Sequence, residues 1–154
     1  MWSGTVAYLH IAPRAFLPMK AEEQVTLVAG RGIEGDRYIN GAGFYSHIVE
    51  EGRQITLFEI ETIEALKRDH GVELQPGDHR RNITTVDVPL NFLVNKRFWI
   101  GQALVEATRL STPCKHIEEI TGKSIFNLML HRCGLNAKIV QGGIVRVGDT
   151  IELD

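Results

Sequence analysis

The chain ends in AKIVQGGIVRVGDTIEL (residues 137–153), and this stretch decides the fold class. Its apolar and β-branched runs at 137–141 and 144–147 flank Gly142-Gly143, which predicts a hairpin with a two-residue glycine turn. Gly148-Asp149 predicts a second turn, which leads into a last strand. Short strands that are joined by glycine turns are typical of an antiparallel barrel or sandwich.

The same pattern recurs toward the N-terminus. Short β-rich segments predict strands at residues 5–11, 24–28, 54–58, 79–86 and 103–110. Apolar residues at helical spacing predict helices near residues 59–70, 115–121 and 125–133. Because strands and helices do not alternate regularly, a parallel sheet is not expected. The expected fold class is mainly β, an antiparallel β-barrel-like single domain over residues 1–154 with a few short helices, and this length suffices for one core.

The charge balance argues against a nucleic-acid polymer as a partner. The sequence has 17 Lys and Arg against 19 Asp and Glu, a formal net charge of -2, and the cations are scattered. A nucleic-acid-binding domain normally shows a basic excess. The N-terminus does not resemble a signal peptide and no apolar window is long enough to span a bilayer, so no membrane partner and a cytoplasmic location are expected. The two cysteines are then expected to be free thiols.

Cys114 is the centre of the strongest candidate for a reactive site, the stretch from Ser111 to His116. Pro113 suits the start of a helix, and Lys115 and His116 follow at once. A helix N-terminus and nearby positive charge both stabilise a thiolate, which is the nucleophilic and metal-binding form of cysteine. The alternative is that Cys114 is a small buried hydrophobic residue, as many cysteines are.

Two charged pairs are further candidates. Arg80-Arg81 stand at a predicted strand entrance, where alternation sends one side chain inward, and Arg81, or failing it Arg80, is expected to line the pocket beside Cys114, since arginine suits phosphate or carboxylate. The alternative is a solvated pair on an edge strand. Asp36-Arg37 follow a glycine-rich segment and form either a buried ion pair or ligand anchor, or a solvated pair in a tight turn.

A segment without sustained periodicity, residues 38–53, predicts a long loop. Loops of this length in compact domains are usually functional or mobile, and this one is interpreted as a flap that carries Phe44, Tyr45 and His47. A single histidine such as His47 is nevertheless more typical of a surface or packing residue than of a ligand.

Five short motifs together resemble the MOSC domain, the family named after the C-terminal domain of molybdenum cofactor sulfurase. They are Gly35-Asp36-Arg37, Arg80-Arg81-Asn82-Ile83, Phe98-Trp99-Ile100-Gly101, Pro113-Cys114, and Gly143-Ile144 with Gly148-Asp149. No single motif is specific, but their order and spacing cover nearly the whole chain. The chain most resembles the short, stand-alone bacterial members of this family.

The resemblance implies a β-barrel-like fold and a pterin-based molybdenum cofactor, molybdopterin, held beside Cys114 as the catalytic residue. In amidoxime-reducing relatives the family cysteine is a molybdenum ligand, and in others it carries persulfide sulfur. The cofactor-binding residues that the resemblance implies are Arg81, Asn82, Arg80, Asp36, Arg37, Lys115 and His116.

Three hypotheses about function follow. The first is a small reductase of N-hydroxylated compounds with Cys114 as molybdenum ligand and with electrons from a separate partner protein, because the chain shows no cysteine cluster for an iron–sulfur centre. The second is a sulfur carrier that holds a persulfide on Cys114, supplied by a sulfur-donor protein. The third is a non-catalytic cofactor-binding or structural zinc domain, with ligands from Cys114-Lys115-His116 and His131-Arg132-Cys133. Against zinc, one intervening residue separates two side chains by about 200° on a helix.

Overall fold

The computed structural model of the chain describes residues 1–14, 17–39, 53–113, 118–119, 122 and 125–154. Within these ranges it is mainly β, and the expected fold class is confirmed. An α-helix, α1, spans Ile60–His70. The strands are β1 (Gly4–Ile11), β2 (Lys20–Glu22), β3 (Gln24–Val28), β4 (Gly32–Ile33), β5 (Ile55–Glu59), β6 (Ile83–Val86), β7 (Arg97–Ile100), β8 (Ala103–Leu110), β9 (Leu135–Gln141), β10 (Gly143–Arg146) and β11 (Thr150–Leu153).

Seven strands close into a barrel in the order β11, β7, β8, β9, β5, β6 and β1. The ring closes because β1 also pairs with β11, with Gly4 opposite Ile151. The turn at Gly148-Asp149 stabilises this seam, since the N–H of Val6 donates to Asp149 O at 2.9 Å and the N–H of Gly148 donates to Val6 O at 2.8 Å. This motif is therefore part of the barrel closure.

One pair of barrel strands is parallel, contrary to the expectation of an antiparallel arrangement throughout. β5 and β6 pair in parallel, with Phe58 opposite Thr84, and α1 connects them. A parallel pair requires such a crossover connection. A single strand–helix–strand unit inside an otherwise antiparallel pattern produces no repeating signal, which is why the sequence alone does not reveal it.

The predicted hairpin around Gly142-Gly143 is wrong, although both of its strands exist. β9 pairs with β8 and β5 in the barrel, whereas β10 pairs with β3 in a separate sheet of order β10, β3, β4. The Cα of Gly142 passes so close to Leu27 that an added Cβ would lie 2.5 Å from the Leu27 carbonyl oxygen. Glycine is therefore required at position 142 because the chain crosses there from the barrel to the second sheet, and not because it forms a tight hairpin turn.

The helix predicted near residues 59–70 is confirmed, but the helix predicted at 125–133 is wrong. That segment contains only a 3₁₀ turn at Asn127–Met129, because Leu130 has an extended ψ of 130° and His131 has a φ of 63°. The chain straightens there to enter β9. Most of the helix predicted at 115–121 lies outside the described residues, and its described residues 118 and 119 are helical.

Two clusters of buried apolar side chains stabilise the fold. The larger fills the barrel and its contact with the second sheet, and it includes Leu57, Phe98 and Val145. Burying each side chain of this size contributes about 1.5–3 kcal/mol. The smaller cluster lies under α1 and comprises Phe58, Leu66, Leu74, Ile125, Met129 and Cys133. In the described part of the chain, no helix combines the length and apolar character that a membrane span requires.

Candidate functional site

A buried ion pair lies at the base of the site. Asp36 and Arg37 follow β4, and their side chains are 0% and 4% exposed. Arg37 Nη1 donates to Asp36 Oδ1 at 3.0 Å, and the same oxygen accepts the N–H of Ala12 at 3.1 Å. The second carboxylate oxygen, Oδ2, is buried without a hydrogen-bond partner in the described structure. Of the two interpretations of this pair, the structure shows the buried one.

Arg37 also fixes the backbone of Arg80. Arg37 Nη2 donates to Arg80 O at 2.7 Å, and Arg80 has a φ of 62°, in the left-handed region that L residues rarely adopt. The strand predicted over 79–86 begins only at Ile83. The two arginines therefore lie in a loop. The loop conformation, and not the alternation of a strand, directs Arg80 toward Leu17 and Arg81 toward Cys133.

Arg80 is a buried cation with an incomplete set of partners. The residue is 3% exposed, its Nη1 donates to Leu17 O at 2.6 Å, and its Nη2 is buried with no hydrogen-bond partner among the described residues. Burial, followed by the positive charge of Arg37, lowers the pKa of Arg80 to about 10, while Tyr38 and Asp36 act in the opposite direction. Because a buried charge is costly unless it is paired, this position favours an anion.

A cavity of about 480 Å³ lies beside Arg80. This volume is typical of small-molecule sites. Gly77 has a φ of 96°, and a Cβ at this position would lie 3.0 Å from the ring of His10, so glycine lets the wall of the cavity pack directly on that ring. Besides Arg80 the lining residues are Pro18, Met19, Pro76, Gly77, Asp78 and Glu119.

Arg81 joins two other segments of the chain. Its Nε donates to Cys133 O at 3.2 Å, and its Nη2 donates to Thr112 O at 3.3 Å and lies 3.1 Å from Cys133 Sγ. Thr112 stands two residues ahead of Cys114 in the sequence. The guanidinium of Arg81 thus connects the segment before β9 with the segment that leads to Cys114.

Two histidines line the interior behind the arginines. His79 is fully buried, and the ring of His10 lies 6.5 Å away in a T-shaped arrangement. Burial lowers the pKa of His10, whose Nδ1 has no hydrogen-bond partner among the described residues. Neither residue stands out in the sequence, because a histidine inside a β-rich run resembles any other polar strand residue. The only available signal was the position of His79 directly before the two arginines.

Asn82 is bonded within the barrel. Its Oδ1 accepts the N–H and the hydroxyl of Thr56, each at 3.0 Å, and its Nδ2 donates to His10 O at 3.2 Å. These bonds connect the approach to β6 with both β5 and β1. The side chain therefore holds the strands that carry the site in their relative positions.

Several predicted site residues lie outside the described residues. These are Cys114, Lys115 and His116, together with Phe44, Tyr45 and His47 of the predicted flap. The structure brings Asp36, Arg37 and Arg80 together. Of the alternative zinc ligands, His131 is exposed and Cys133 is buried beside Arg81, a cation that would repel a metal ion. The described ranges contain no group of three or more His, Cys, Asp or Glu that could hold a metal.

Comparison with protein families gives a match over more than half of the chain. A family model described as MOSC domain matches residues 44–152, a range that contains Arg80, Arg81, Asn82 and Cys114. Asp36 and Arg37 lie just before it. No curated protein matches the sequence.

Solved structures share the fold at low sequence identity. The YuaD protein from Bacillus subtilis superposes with a TM-score of 0.81 at 22% identity, over 99% of this chain and 97% of its own. YiiM from Geobacillus stearothermophilus has a TM-score of 0.74 at 13% identity, over 98% and 75% of the two chains. YiiM from Escherichia coli has a TM-score of 0.69 at 16% identity, over 97% and 69%. At such identities the likeness shows the fold alone.

Proposed function

Because the chain belongs to the MOSC domain family, which is associated with the molybdenum cofactor, we propose that it binds molybdopterin in the cavity beside Arg80. The observation that carries this proposal is the buried Nη2 of Arg80, which has no hydrogen-bond partner among the described residues and belongs to a residue that lines the cavity. A phosphate-bearing ligand would supply the missing acceptor and the missing negative charge.

The lining of the cavity fits such a ligand. Arg80 offers a planar donor to a phosphate, and Glu119 offers an acceptor to amino and ring N–H groups of a pterin. Pro76 and Gly77 add small, uncharged surface to the lining. The cavity therefore combines one anion-binding side with one side that accepts hydrogen bonds.

The two arginines are assigned different roles in this proposal. The resemblance to the family names both as cofactor-binding residues. Arg81 is bonded to Cys133 and Thr112, whereas Arg80 has the buried nitrogen without a partner. Arg80 is therefore the residue that binds the anion. Arg81 stabilises the segment that precedes Cys114 in the sequence.

The activity that we propose is the reduction of N-hydroxylated compounds, with Cys114 as the thiolate ligand of molybdenum and a separate protein as electron donor. When bound, the cofactor would supply the two-electron redox chemistry of its metal. The chain holds the cofactor phosphate through Arg80 and excludes water from the buried face of the site. Lys115 and His116 add positive charge next to Cys114 in the sequence, which favours the thiolate.

Metal and pterin analysis tests this proposal. The protein is purified from a host that makes the cofactor, beside Cys114→Ser, Arg80→Met and, as a matched surface control, Arg97→Met. We expect stoichiometric molybdenum and pterin in the wild type and in Arg97→Met. Cys114→Ser should lose the metal, and Arg80→Met should retain at least tenfold less cofactor, since a charged hydrogen bond is lost.

Activity and sulfur analysis separate the remaining outcomes. With a supplied electron donor, reduction of an amidoxime by the loaded wild type supports the reductase. Persulfide on Cys114 in protein without molybdenum would instead support the sulfur carrier. Stoichiometric zinc would support the structural alternative, and molybdenum content that is unchanged in Cys114→Ser would contradict the assignment of the metal ligand.

A further inference from the structure

His79 lies behind both arginines and has no part in the proposed function. It is fully buried, and its ring stacks on the ring of Phe58 with the centroids 4.3 Å apart. A polar ring in such a position must have its nitrogens satisfied, because an unpaired buried polar group is costly. The partners of these nitrogens therefore reveal what the residue does.

Each ring nitrogen of His79 has a defined role. The backbone N–H of Arg81 donates to Nδ1 at 2.9 Å, so Nδ1 carries no proton. Nε2 then carries the proton and donates to Thr84 Oγ1 at 2.8 Å. Burial, followed by the positive charges of Arg81 and His10, holds the pKa of His79 well below its ordinary value. The ring is therefore a neutral imidazole in one tautomer.

This ring stabilises the unusual backbone of Arg80. The N–H of Arg80 donates to Gly77 O at 3.0 Å, its carbonyl accepts from Arg37 Nη2 at 2.7 Å, and the next N–H donates to His79. A φ of 62° is strained for an arginine and persists only when its surroundings hold it. Of these three bonds, the bond to His79 Nδ1 is made by the N–H of the peptide group that joins Arg80 to Arg81.

We propose that His79 is a positioning residue, whose Nδ1 holds Arg80 in the left-handed conformation and so keeps the Arg80 guanidinium in the wall of the cavity for an anion. The same bond turns Arg81 away from the cavity, toward Cys133. The inference rests on the proposed function only in taking the ligand of the cavity to be an anion.

Two polar substitutions distinguish the roles of the two ring nitrogens of His79. In His79→Asn, Oδ1 occupies the place of Nδ1 and accepts the N–H of the second following residue, as in an Asx turn. In His79→Gln, Oε1 reaches toward the place of Nε2, and the acceptor for Arg81 is lost. Thr84→Val is the control that removes only the bond to Nε2. Both histidine variants are polar and similar in size, so a difference between them does not reflect polarity.

Inorganic phosphate is the probe, and its dissociation constant is measured by titration of the full chain without cofactor. We expect His79→Gln to weaken phosphate binding about tenfold, close to the effect of Arg80→Met, because a charged hydrogen bond is lost in both. His79→Asn and Thr84→Val should stay within about threefold of the wild type. Backbone chemical shifts of Arg80 should report a positive φ in the wild type, His79→Asn and Thr84→Val, but not in His79→Gln.

Equal phosphate affinity in His79→Asn and His79→Gln, with both folded, would overturn the positioning role. If the wild type binds no phosphate, the anion-binding role that the proposed function gives to Arg80 fails, and the Arg80 backbone shifts decide the role of His79. A positive φ that survives in His79→Gln would then refute it. Retention of molybdenum is measured separately, so failure of the cofactor proposal is distinguishable from failure of this one.

Discussion

Two groups of charged side chains in this protein each contain one carboxylate and two cations, but they lie in opposite environments. In the site, Asp36 is accompanied by Arg37 and Arg80, and the three residues are between 0% and 4% exposed. Burial and the repulsion by Arg37 both lower the pKa of Arg80. One carboxylate therefore faces two cations where little water is available to screen them.

The second group lies on the barrel surface. Glu106 on β8 accepts from Arg97 Nε at 3.0 Å and from Lys138 Nζ at 3.2 Å, and the side chains are 27%, 51% and 35% exposed. Hydrogen bonds from Arg97 and Lys138 lower the pKa of Glu106. The excess positive charge of this group is solvated and screened by salt.

The difference shows why the buried group is a functional candidate and the surface group is not. On the surface, water and counter-ions compensate an extra cation at almost no cost. In the interior the same excess is screened far less, so an anion that enters is stabilised more strongly than at the surface. A charge imbalance is therefore informative only together with its burial, which explains why Arg80 is distinguished although the sequence contains 17 Lys and Arg.

The largest effect is expected from Asp36→Asn. This variant leaves Arg37 and Arg80 as buried cations without their carboxylate, and breaking a buried pair costs about 3–5 kcal/mol of unfolding free energy. Urea denaturation of the wild type and the variant measures the loss. A change below about 1 kcal/mol would show that water reaches this pair as freely as a surface pair.

An intermediate effect is expected from acidification. In the unfolded chain His79 protonates near its ordinary pKa, whereas in the folded chain its pKa lies well below that value. The unfolded state thus binds more protons, so stability is fully present above pH of about 6.5 and falls below it, by at most about 1.4 kcal/mol per pH unit for this residue.

Urea denaturation between about pH 7 and about pH 5.5 measures this slope, and His79→Asn is the control because asparagine does not titrate. The variant should have the shallower slope. Burial also lowers the pKa of His10, which acts in the same direction in both proteins and cancels in the difference. Identical slopes would contradict the neutral state of His79 in the folded protein.

The smallest effect is expected from Glu106→Gln. An exposed ion pair contributes roughly 0.2–1 kcal/mol, and salt screens it. The loss of unfolding free energy should therefore stay below about 1 kcal/mol and shrink at high salt. The loss caused by Asp36→Asn should hardly respond to salt, and a similar salt dependence of both variants would remove the distinction between the two groups.

Local patterns predicted much of the fold. β3 and β8 were predicted with their observed bounds, and β1, β5 and α1 within one residue. The spacing of apolar residues along the chain indicates such strands and amphipathic helices directly. The pairing partner of each strand was harder to predict from the sequence. The strand predicted at 144–147 is observed at Gly143–Arg146, but it pairs with β3 and not with its neighbour in sequence.

The site was predictable only in part, for the same reason. The residue types of Asp36, Arg37, Arg80 and Arg81 already indicated anion chemistry. The division of roles between Arg80 and Arg81 was not visible, because it follows from a left-handed backbone and from hydrogen bonds to residues as distant as Leu17 and Cys133.

The sequence by itself determined the mainly β class, most of the strands and α1, and the family, because these depend on residue type and short-range spacing. Only the tertiary structure decided the barrel closure between β1 and β11, the parallel pair β5–β6 and the burial of Asp36, Arg37 and Arg80. The physical reason is that pairing and burial depend on residues that are far apart in the chain. The cost of a buried charge, and with it the affinity for an anion, exists only after those residues have come together.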